Sequence, residues 1–391
     1  MRVLIVGAGI AGTTSAYWLQ RAGHAVTLVE RAPHLRRGGY VVDFWGAGFD
    51  VAERMGIVPQ LRDRGYTFTE GRSVDSAGRR IASVRPATIL GDVTRYVTIA
   101  RSDLATVIYD ALGGAAELIL DDTVRALTDE GDRVRVVLES GASRDFDLVV
   151  GADGLHSRVR RLVFGPDERF ERKLGIVIAA FEVPGYRPRD ESVAIMHAEV
   201  GFQALRVSLR DDVTLFLLSV RHDGAVPVED LEAQHDLLRR ALAGGGWETP
   251  AILDAMPRAE TFYLDRVSQI RMPSWARGRV ALVGDAAACP SFLAGQGSAL
   301  AMVESYTLAA ELSHGVDPSE AFAGYQRRLA PLLRSKQDAA TGLGLAFAPK
   351  DRWQLFVRNG VMRLMGLPKV GDMVMGRSFR DKVELPTFVA A

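Results

Sequence analysis

The sequence predicts a mixed α/β protein: a discontinuous parallel-sheet domain of Rossmann type, an antiparallel β-sheet inserted into it, and a C-terminal helix. Three observations carry this. A buried-strand run at 2–6 opens into a glycine-rich turn, a helix and a second strand. Runs of the same buried-strand character return near residue 150 and near residue 280. Between them, from about 174 to 270, the pattern changes to successive short strands, the mark of a separate antiparallel sheet.

Each element follows from its residues. Residues 2–6, Arg-Val-Leu-Ile-Val, form a β-branched run suited to a central strand. Residues 13–22 read as a helix that Gly23 stops, and 25–29 as a second strand ending at Glu30. A helix is expected at 101–112 and strands at 134–138 and 146–150. The inserted sheet is assigned 176–181, 192–196, 204–209, 213–220 and 261–270, interrupted by a helix at 231–242. After the strand 279–283 come two long helices, 298–312 and 318–340. Apolar clusters alternate with Arg358 and Arg363 over 353–365, which reads as an amphipathic helix packed across the domains. The division expected is a cofactor-type domain at 1–70, 97–170 and 271–345, a substrate domain at 71–96 and 171–270, and a helical segment at 346–391.

Composition narrows the functional classes. The chain has 391 residues, 48% apolar and 25% charged, ordinary for two packed domains. Lys+Arg and Asp+Glu both number 48, and no basic run suggests a nucleic-acid partner. Cys289 stands alone, so neither an internal disulfide nor a cysteine-based zinc cluster is expected, and no metal site is assigned. A reduced, cytoplasmic setting fits this usage. The apolar start breaks into Gly7-Ala8-Gly9 without a cleavage region, so it reads as a strand and not a signal peptide. No run of about 18 apolar residues predicts a membrane span.

Gly7-Ala8-Gly9-Ile10-Ala11-Gly12 matches G-x-G-x-x-G after a strand and before a helix. Gly7 allows the tight turn, Gly9 lets a diphosphate approach the backbone, and Gly12 lets helix and strand pack closely. The helix start offers free N–H groups and partial positive charge. Glu30, at the end of the second strand, can accept hydrogen bonds from ribose hydroxyls. Ala11 within the turn and Arg31 beside Glu30 join the candidate cofactor contacts. This motif alone does not separate FAD from NAD, since both carry an ADP half.

Two further stretches make that separation. One is Asp147-Leu-Val-Val-Gly-Ala-Asp153-Gly154-Leu-His156-Ser157-Arg158-Val-Arg160; the other runs from Gly278 through Gly284-Asp285 and Pro290 to Gly295-Gln296-Gly297. With the glycine motif, and in this order, they resemble the fingerprints of the group A flavoprotein monooxygenases, typified by para-hydroxybenzoate and phenol hydroxylases. The resemblance implies bound FAD, with Asp153, Gly154, Gly284 and Asp285 among its contacts and Pro290, Gly295, Gln296 and Gly297 lining the flavin ring. Backbone N–H groups at the helix after Gly297 would stabilise negative charge on the reduced ring. Arg101, opening Arg101-Ser-Asp-Leu104, is similar to the family arginine that reaches the FAD diphosphate and ribityl region. Arg36-Arg37-Gly38-Gly39-Tyr40-Val-Val-Asp43 resembles the tetracycline-inactivating and related antibiotic-modifying subgroup. There, Gly39 and Asp43 would touch FAD, and Arg36 and Arg160 are the candidate NAD(P)H contacts.

The resemblance implies that NADPH or NADH reduces FAD, that O2 adds at flavin C4a, and that the hydroperoxide hydroxylates an aromatic or polycyclic small molecule. No side chain is assigned as catalytic, because the cofactor supplies the chemistry. His197, Gln203, Arg206 and Arg221 lie on the expected substrate sheet and are the candidate substrate contacts, subject to a strand register that a one-residue slip would reverse. His156 and Cys289 read as structural. An oxidase, reductase or cyclase on the same scaffold, or a flavin-bound redox sensor, are the alternatives. The flavin-halogenase Trp-x-Trp-x-x-Ile-Pro signature is absent, and the residues after 345 leave no room for a thioredoxin-like domain. A monomer or homodimer is expected.

Overall fold

The computed structural model describes residues 1–35, 40–85, 93–366 and 383–390. Strand Arg2–Val6 runs parallel to both Ala25–Val29 and Leu148–Gly151, with Ile5 opposite Leu28 and Leu4 opposite Val149. The six-stranded sheet has the spatial order Ala276–Arg277, Val280–Leu282, Leu148–Gly151, Arg2–Val6, Ala25–Val29, Glu117–Ile119. Its central strands are apolar without alternation because both faces are covered. Helices Ile10–Arg21 and Gly297–Ser313 pack together in the same core. The antiparallel strands Val124–Asp129, Val134–Leu138 and Ser143–Phe146 contribute Val124, Val134, Val136 and Phe146 to it. The sequence expectation of one strand at 146–150 joins two elements that the structure separates at Asp147.

The inserted sheet has seven strands, in the order Thr261–Ile270, Glu171–Pro184, Val213–Arg221, Phe202–Ser208, Val193–Glu199, Glu70–Val74, Arg80–Val84. Its alternation assigns two faces. Val177, Ala179, Phe181, Phe216 and Leu218 pack against helices Leu231–Ala241 and Thr249–Ala255 through Leu237, Leu238 and Ile252. The opposite face packs Ile176, Ile178 and Val267 against Leu293 and Ala348. Farther along that face, Ala180, Val207 and Leu215 meet Tyr40, Tyr66 and Phe68. The second face therefore looks onto the parallel-sheet domain.

Helix Arg352–Met365 inverts its expected polarity. Arg358 and Met365 are buried, while Trp353, Phe356 and Leu364 are exposed, with Trp353 and Phe356 stacked at 5.8 Å. Arg358 turns inward because backbone and amide oxygens meet it there. Beyond the helix, residues 383–390 return to the parallel-sheet domain, where Phe388 packs on Trp18 and Pro386 accepts a hydrogen bond from Tyr306. No helix among the described residues is long and apolar enough to cross a membrane.

The glycines of the first turn differ in what surrounds them. A Cβ on Gly12 would fall 1.8 Å from the Gly7 carbonyl oxygen, whereas one on Gly9 would meet nothing within 4 Å. Gly12→Ala therefore forces strand and helix apart and should destabilise the protein by about 3 kcal/mol. Gly9→Ala should leave the cofactor-free protein within about 0.5 kcal/mol of wild type. Urea denaturation of both apoproteins checks the contrast; equal losses would remove the distinction.

Candidate active site

Where strand Arg2–Val6 ends, Gly7 turns with φ +100° and its N–H donates to the Val29 carbonyl at 2.7 Å. Helix Ile10–Arg21 then starts without a side-chain cap and without an acid in its first turn. Its first N–H groups are left for another acceptor, and the turn before them is open at Gly9. Glu30 is pinned beside it: one carboxylate oxygen accepts the Ala8 N–H at 2.9 Å and the other the Ala32 N–H at 3.0 Å. A carboxylate so held keeps free lone pairs for further donors. Ala11 is buried against the Gly284 turn, and Arg31 is exposed.

The second turn is built behind the first. Gly284 sits at φ +63° with room for a Cβ only 3.0 Å from that of Ala11. Its N–H donates at 2.9 Å to Glu304, a fully buried acid that also accepts the Tyr325 hydroxyl at 3.1 Å. Burial pushes the Glu304 carboxyl up to about 8. Asp285, next in the chain, is half-buried, and a Cβ on Gly297 would lie 3.8 Å from its Oδ1. Asp285 thus faces the start of helix Gly297–Ser313, which has no side-chain cap and no acid in its first turn. Just before that helix, Ser291 Oγ and Gln296 Nε2 are buried without a hydrogen-bond partner, and Gly295 opens to free space. Pro290 is buried, its carbonyl accepting from Gln269 at 3.2 Å. Cys289 packs inside with its thiol pushed up by burial.

Arg101 opens helix Arg101–Asp110, its N–H bonded to the Tyr40 carbonyl at 3.2 Å. The nearby Tyr40 hydroxyl, then Asp285, hold its guanidinium above the usual range against an opposing desolvation. Tyr40 meets Phe292 edge-on at 5.3 Å and Tyr263 at 6.1 Å, so this arginine lies where the two domains touch. Asp43 is held by the Tyr96 and Thr98 hydroxyls, both at 2.6 Å. Arg36, Gly38 and Gly39 lie outside the described residues.

Several sequence candidates stand elsewhere than expected. Arg160 is 0% exposed; it donates to Asp167 at 2.7 Å and to the Leu155 and Ala286 carbonyls at 2.6 and 3.0 Å. A guanidinium sealed in this way is a structural clamp and offers no surface to NAD(P)H. The Asp153 carboxylate caps helix Arg158–Phe164, accepting the Arg158 and Val159 N–H groups at 2.6 and 3.0 Å. Gly154 takes the left-handed turn beside it, at φ +78°. His197 and Arg206 face the wrong side of the inserted sheet. His197 packs near Phe202 and Trp247 and bonds Glu199 at 2.9 Å, and Arg206 pairs with Asp190 at 2.5 Å. Arg221 ends its strand and lines an open hollow of about 560 Å³ with His222 and Arg240. Gln203, bonded to Arg358 at 2.6 Å, shares the face that looks onto the parallel-sheet domain, as does Arg221 by its pairing with Ile176.

That face also carries residues the sequence reading did not assign. Tyr263 donates to Asp265 at 3.1 Å, and Asp265 pairs with His156 at 3.0 Å, tying the 147–160 stretch to the inserted sheet. The Asp265 hydrogen bond holds His156 above its ordinary pKa. Phe292 and Phe347 meet edge-on at 6.3 Å. A lone tyrosine or phenylalanine in a strand pattern carries no signal of its facing; the pairing register supplies it.

Two uncapped helix starts, two carboxylates beside them and buried unpaired polar atoms define a dinucleotide-binding fold. The chain belongs to the FAD binding domain family, whose model matches residues 1–331. It is 40% identical over 329 residues to an uncharacterized protein of Mycobacterium tuberculosis, covering 83% of this chain and 88% of that one. It is 35% identical to a flavin-dependent monooxygenase from an unknown prokaryotic organism, covering 92% and 94%. The crystal structure of tetracycline destructase Tet(51) superposes with a TM-score of 0.84 at 30% identity, covering 99% of both chains. The protein is an FAD-dependent monooxygenase of this family.

Glu304 gives the site a measurable pH signature. Its folded pKa, about 8, lies above the ordinary carboxyl value, so the folded state favours the neutral acid. The stability this contributes is complete below about 4.5 and is lost as pH rises through 8. Glu304→Gln should keep the acceptor and remove the dependence, so its Tm should gain on wild type between pH 5 and pH 8. Glu304→Leu strands the Gly284 N–H and should cost about 1–3 kcal/mol at every pH. Differential scanning calorimetry across that range checks both; parallel Tm curves for wild type and the Gln variant would show that Glu304 stays ionised.

Proposed function

We propose that the protein uses NAD(P)H and O2 to hydroxylate an aromatic or polycyclic small molecule. The observation that carries this reading is the convergence of two surfaces. The parallel-sheet domain offers open glycine turns, uncapped helix starts and Asp285, with Tyr40 and Phe292 beside them; the inserted sheet sets Tyr263 against these rings.

FAD fits the residues present. The N–H groups after Gly9 would take the diphosphate, Glu30 the adenosine ribose, and Asp285 with Arg101 the ribityl and diphosphate side. Gln296 Nε2 and Ser291 Oγ, buried and unpaired, would find acceptors and donors on the ring edge. Bound FAD would supply hydride acceptance from NAD(P)H and the activation of O2. The chain's own part is to orient, exclude water and hold charge. The start of helix Gly297–Ser313 would stabilise negative charge on a reduced ring. Tyr40, Phe292 and Phe347 would keep water from the reacting face and hold a flat substrate edge-on. Tyr263, Asp265 and His156 form a hydrogen-bonded line from that face to solvent, along which a substrate hydroxyl could be polarised. The likeness to Tet(51), a tetracycline destructase, supports placing tetracyclines in the first substrate screen.

The purified protein should be yellow, and NADPH or NADH should bleach it in the presence of a true substrate. Products formed under ¹⁸O2 should carry one heavy oxygen atom. Gly9→Val and Asp285→Ala should reduce bound FAD at least about tenfold while leaving the far-ultraviolet circular dichroism unchanged. A colourless protein, or NAD(P)H oxidation that yields only hydrogen peroxide across phenols, polyketides and tetracyclines, would overturn the reading.

A further inference from the structure

A buried positive charge without a counter-ion stands at the far end of the aromatic face. Arg358 is 6% exposed, yet no acidic side chain pairs with it among the described residues. Its partners are neutral: Nε donates to the Ala346 carbonyl at 2.9 Å, Nη1 to Asn359 Oδ1 at 3.1 Å, and Nη2 to Gln203 Oε1 at 2.6 Å. A guanidinium has five N–H donors, and these bonds engage three of them. Burial lowers its pKa to about 10, with no neighbouring acid opposing the shift. By contrast, the other two deeply buried arginines among the described residues are compensated, Arg160 by Asp167 and Arg206 by Asp190.

The placement of this charge is informative. Gln203 lies directly opposite Ser219 in the sheet, and Ser219 Oγ donates to the Phe347 carbonyl at 2.6 Å. Phe347 meets Phe292 edge-on, and Phe292 meets Tyr40 edge-on. The path from Arg358 therefore runs along one face, through Phe347, to Phe292 in the segment after Pro290 and on to Tyr40. The cation comes from the C-terminal helix, turned inward at the expense of that helix's own amphipathicity: Trp353 and Phe356 face solvent instead. Helix anchoring alone needs no charge here, since an apolar side chain would seal the same contact without desolvating a cation.

We propose that Arg358 and Gln203 form an anion-recognition subsite that takes a carboxylate on the polycyclic substrate, whose rings would lie along Phe347, Phe292 and Tyr40. The inference rests on the monooxygenase reading for the ring system, and adds to it the charge and the end from which the substrate is held. A planar carboxylate matches the two unengaged donors of the guanidinium and neutralises the buried charge, which a neutral ligand does not.

The test uses holoenzyme and two probes of one shape, anthraquinone-2-carboxylate and its methyl ester, with affinities read from the flavin absorbance change and by calorimetry. The wild-type protein should bind the acid at least tenfold more tightly than the ester. Arg358→Met should abolish that preference, weakening the acid at least tenfold and the ester less than twofold. Arg358→Lys should restore part of the preference, and Gln203→Leu, which removes the oxygen that orients the guanidinium but leaves the cation in place, should reduce it without abolishing it. Equal affinity of acid and ester for wild type, or parallel loss of both in Arg358→Met, overturns the subsite and assigns Arg358 to helix anchoring. Failure of both probes to bind overturns it as well. If Arg358→Met does not fold, the wild-type preference and the Lys variant decide alone. These outcomes are separate from the monooxygenase reading, which stands or falls on flavin reduction by NAD(P)H and ¹⁸O incorporation.

Discussion

The architecture depends on close backbone approach where three distant segments meet. A Cβ on Gly7 would lie 2.6 Å from the Ala152 carbonyl oxygen, one on Gly12 1.8 Å from the Gly7 oxygen, and one on Gly151 2.6 Å from Leu282. No side chain fits at any of these points. The strands near residues 5, 150 and 281 can sit side by side because the turns at their ends contain almost nothing but backbone. What that closeness creates is equally specific. The carboxyl ends of neighbouring parallel strands open together, and two helix starts point into the same opening, the general position for ligands in open α/β sheets. Dispersion and strand pairing hold the segments; the absence of side chains decides how near they come.

Two polar side chains behind this opening, Glu304 and Arg160, are bonded within the fold, whereas two in front of it, Ser291 and Gln296, keep unpaired atoms. Glu304 stands behind the Gly284 turn and accepts from both Gly284 and Tyr325, so the turn rests on a buried acceptor. Arg160 performs the matching task under the 147–160 stretch, reaching the Ala286 carbonyl and so fastening the second motif to the third. In front of the turn, Ser291 Oγ and Gln296 Nε2 have no protein partner. Leaving a buried amide unpaired costs on the order of 1–3 kcal/mol, a cost that a folded chain sustains when a ligand completes the bond.

How much of this was legible in sequence follows from the distance over which each signal acts. Gly7, Gly9, Gly12 and Glu30 lie within one βαβ unit, and Gly284 with Asp285 ends a single strand, so local pattern sufficed to mark them. Arg160 was assigned to NAD(P)H by the resemblance of the 147–160 stretch, and sequence does not reveal its enclosure, because Asp167 and the Ala286 carbonyl that surround it are brought there by folding. His197 and Arg206 show the limit set by strand alternation. Gln203 and Arg206 lie three positions apart in one strand, so they necessarily face opposite sides, and only the register with Ser219 and Phe216 says which side is which. Arg358 was hidden by the opposite effect: helical periodicity assigned its charge to solvent, and the tertiary fold reversed that assignment.

These two arginines together make a physical point about the inserted sheet. Arg206 is buried on the face toward the covering helices and has Asp190 beside it; Arg358 is buried against the other face and has only neutral oxygens. Both faces desolvate a cation, so burial alone cannot explain the difference. A sheet face that only needs to be packed meets its charges with internal acids, because an uncompensated ion lowers stability for nothing. A face that receives a ligand can leave one charge unmet, since the ligand supplies the missing partner during turnover. The asymmetry across a single sheet, read with the aromatic rings that share the face of Gln203, distinguishes the side that packs from the side that recognises.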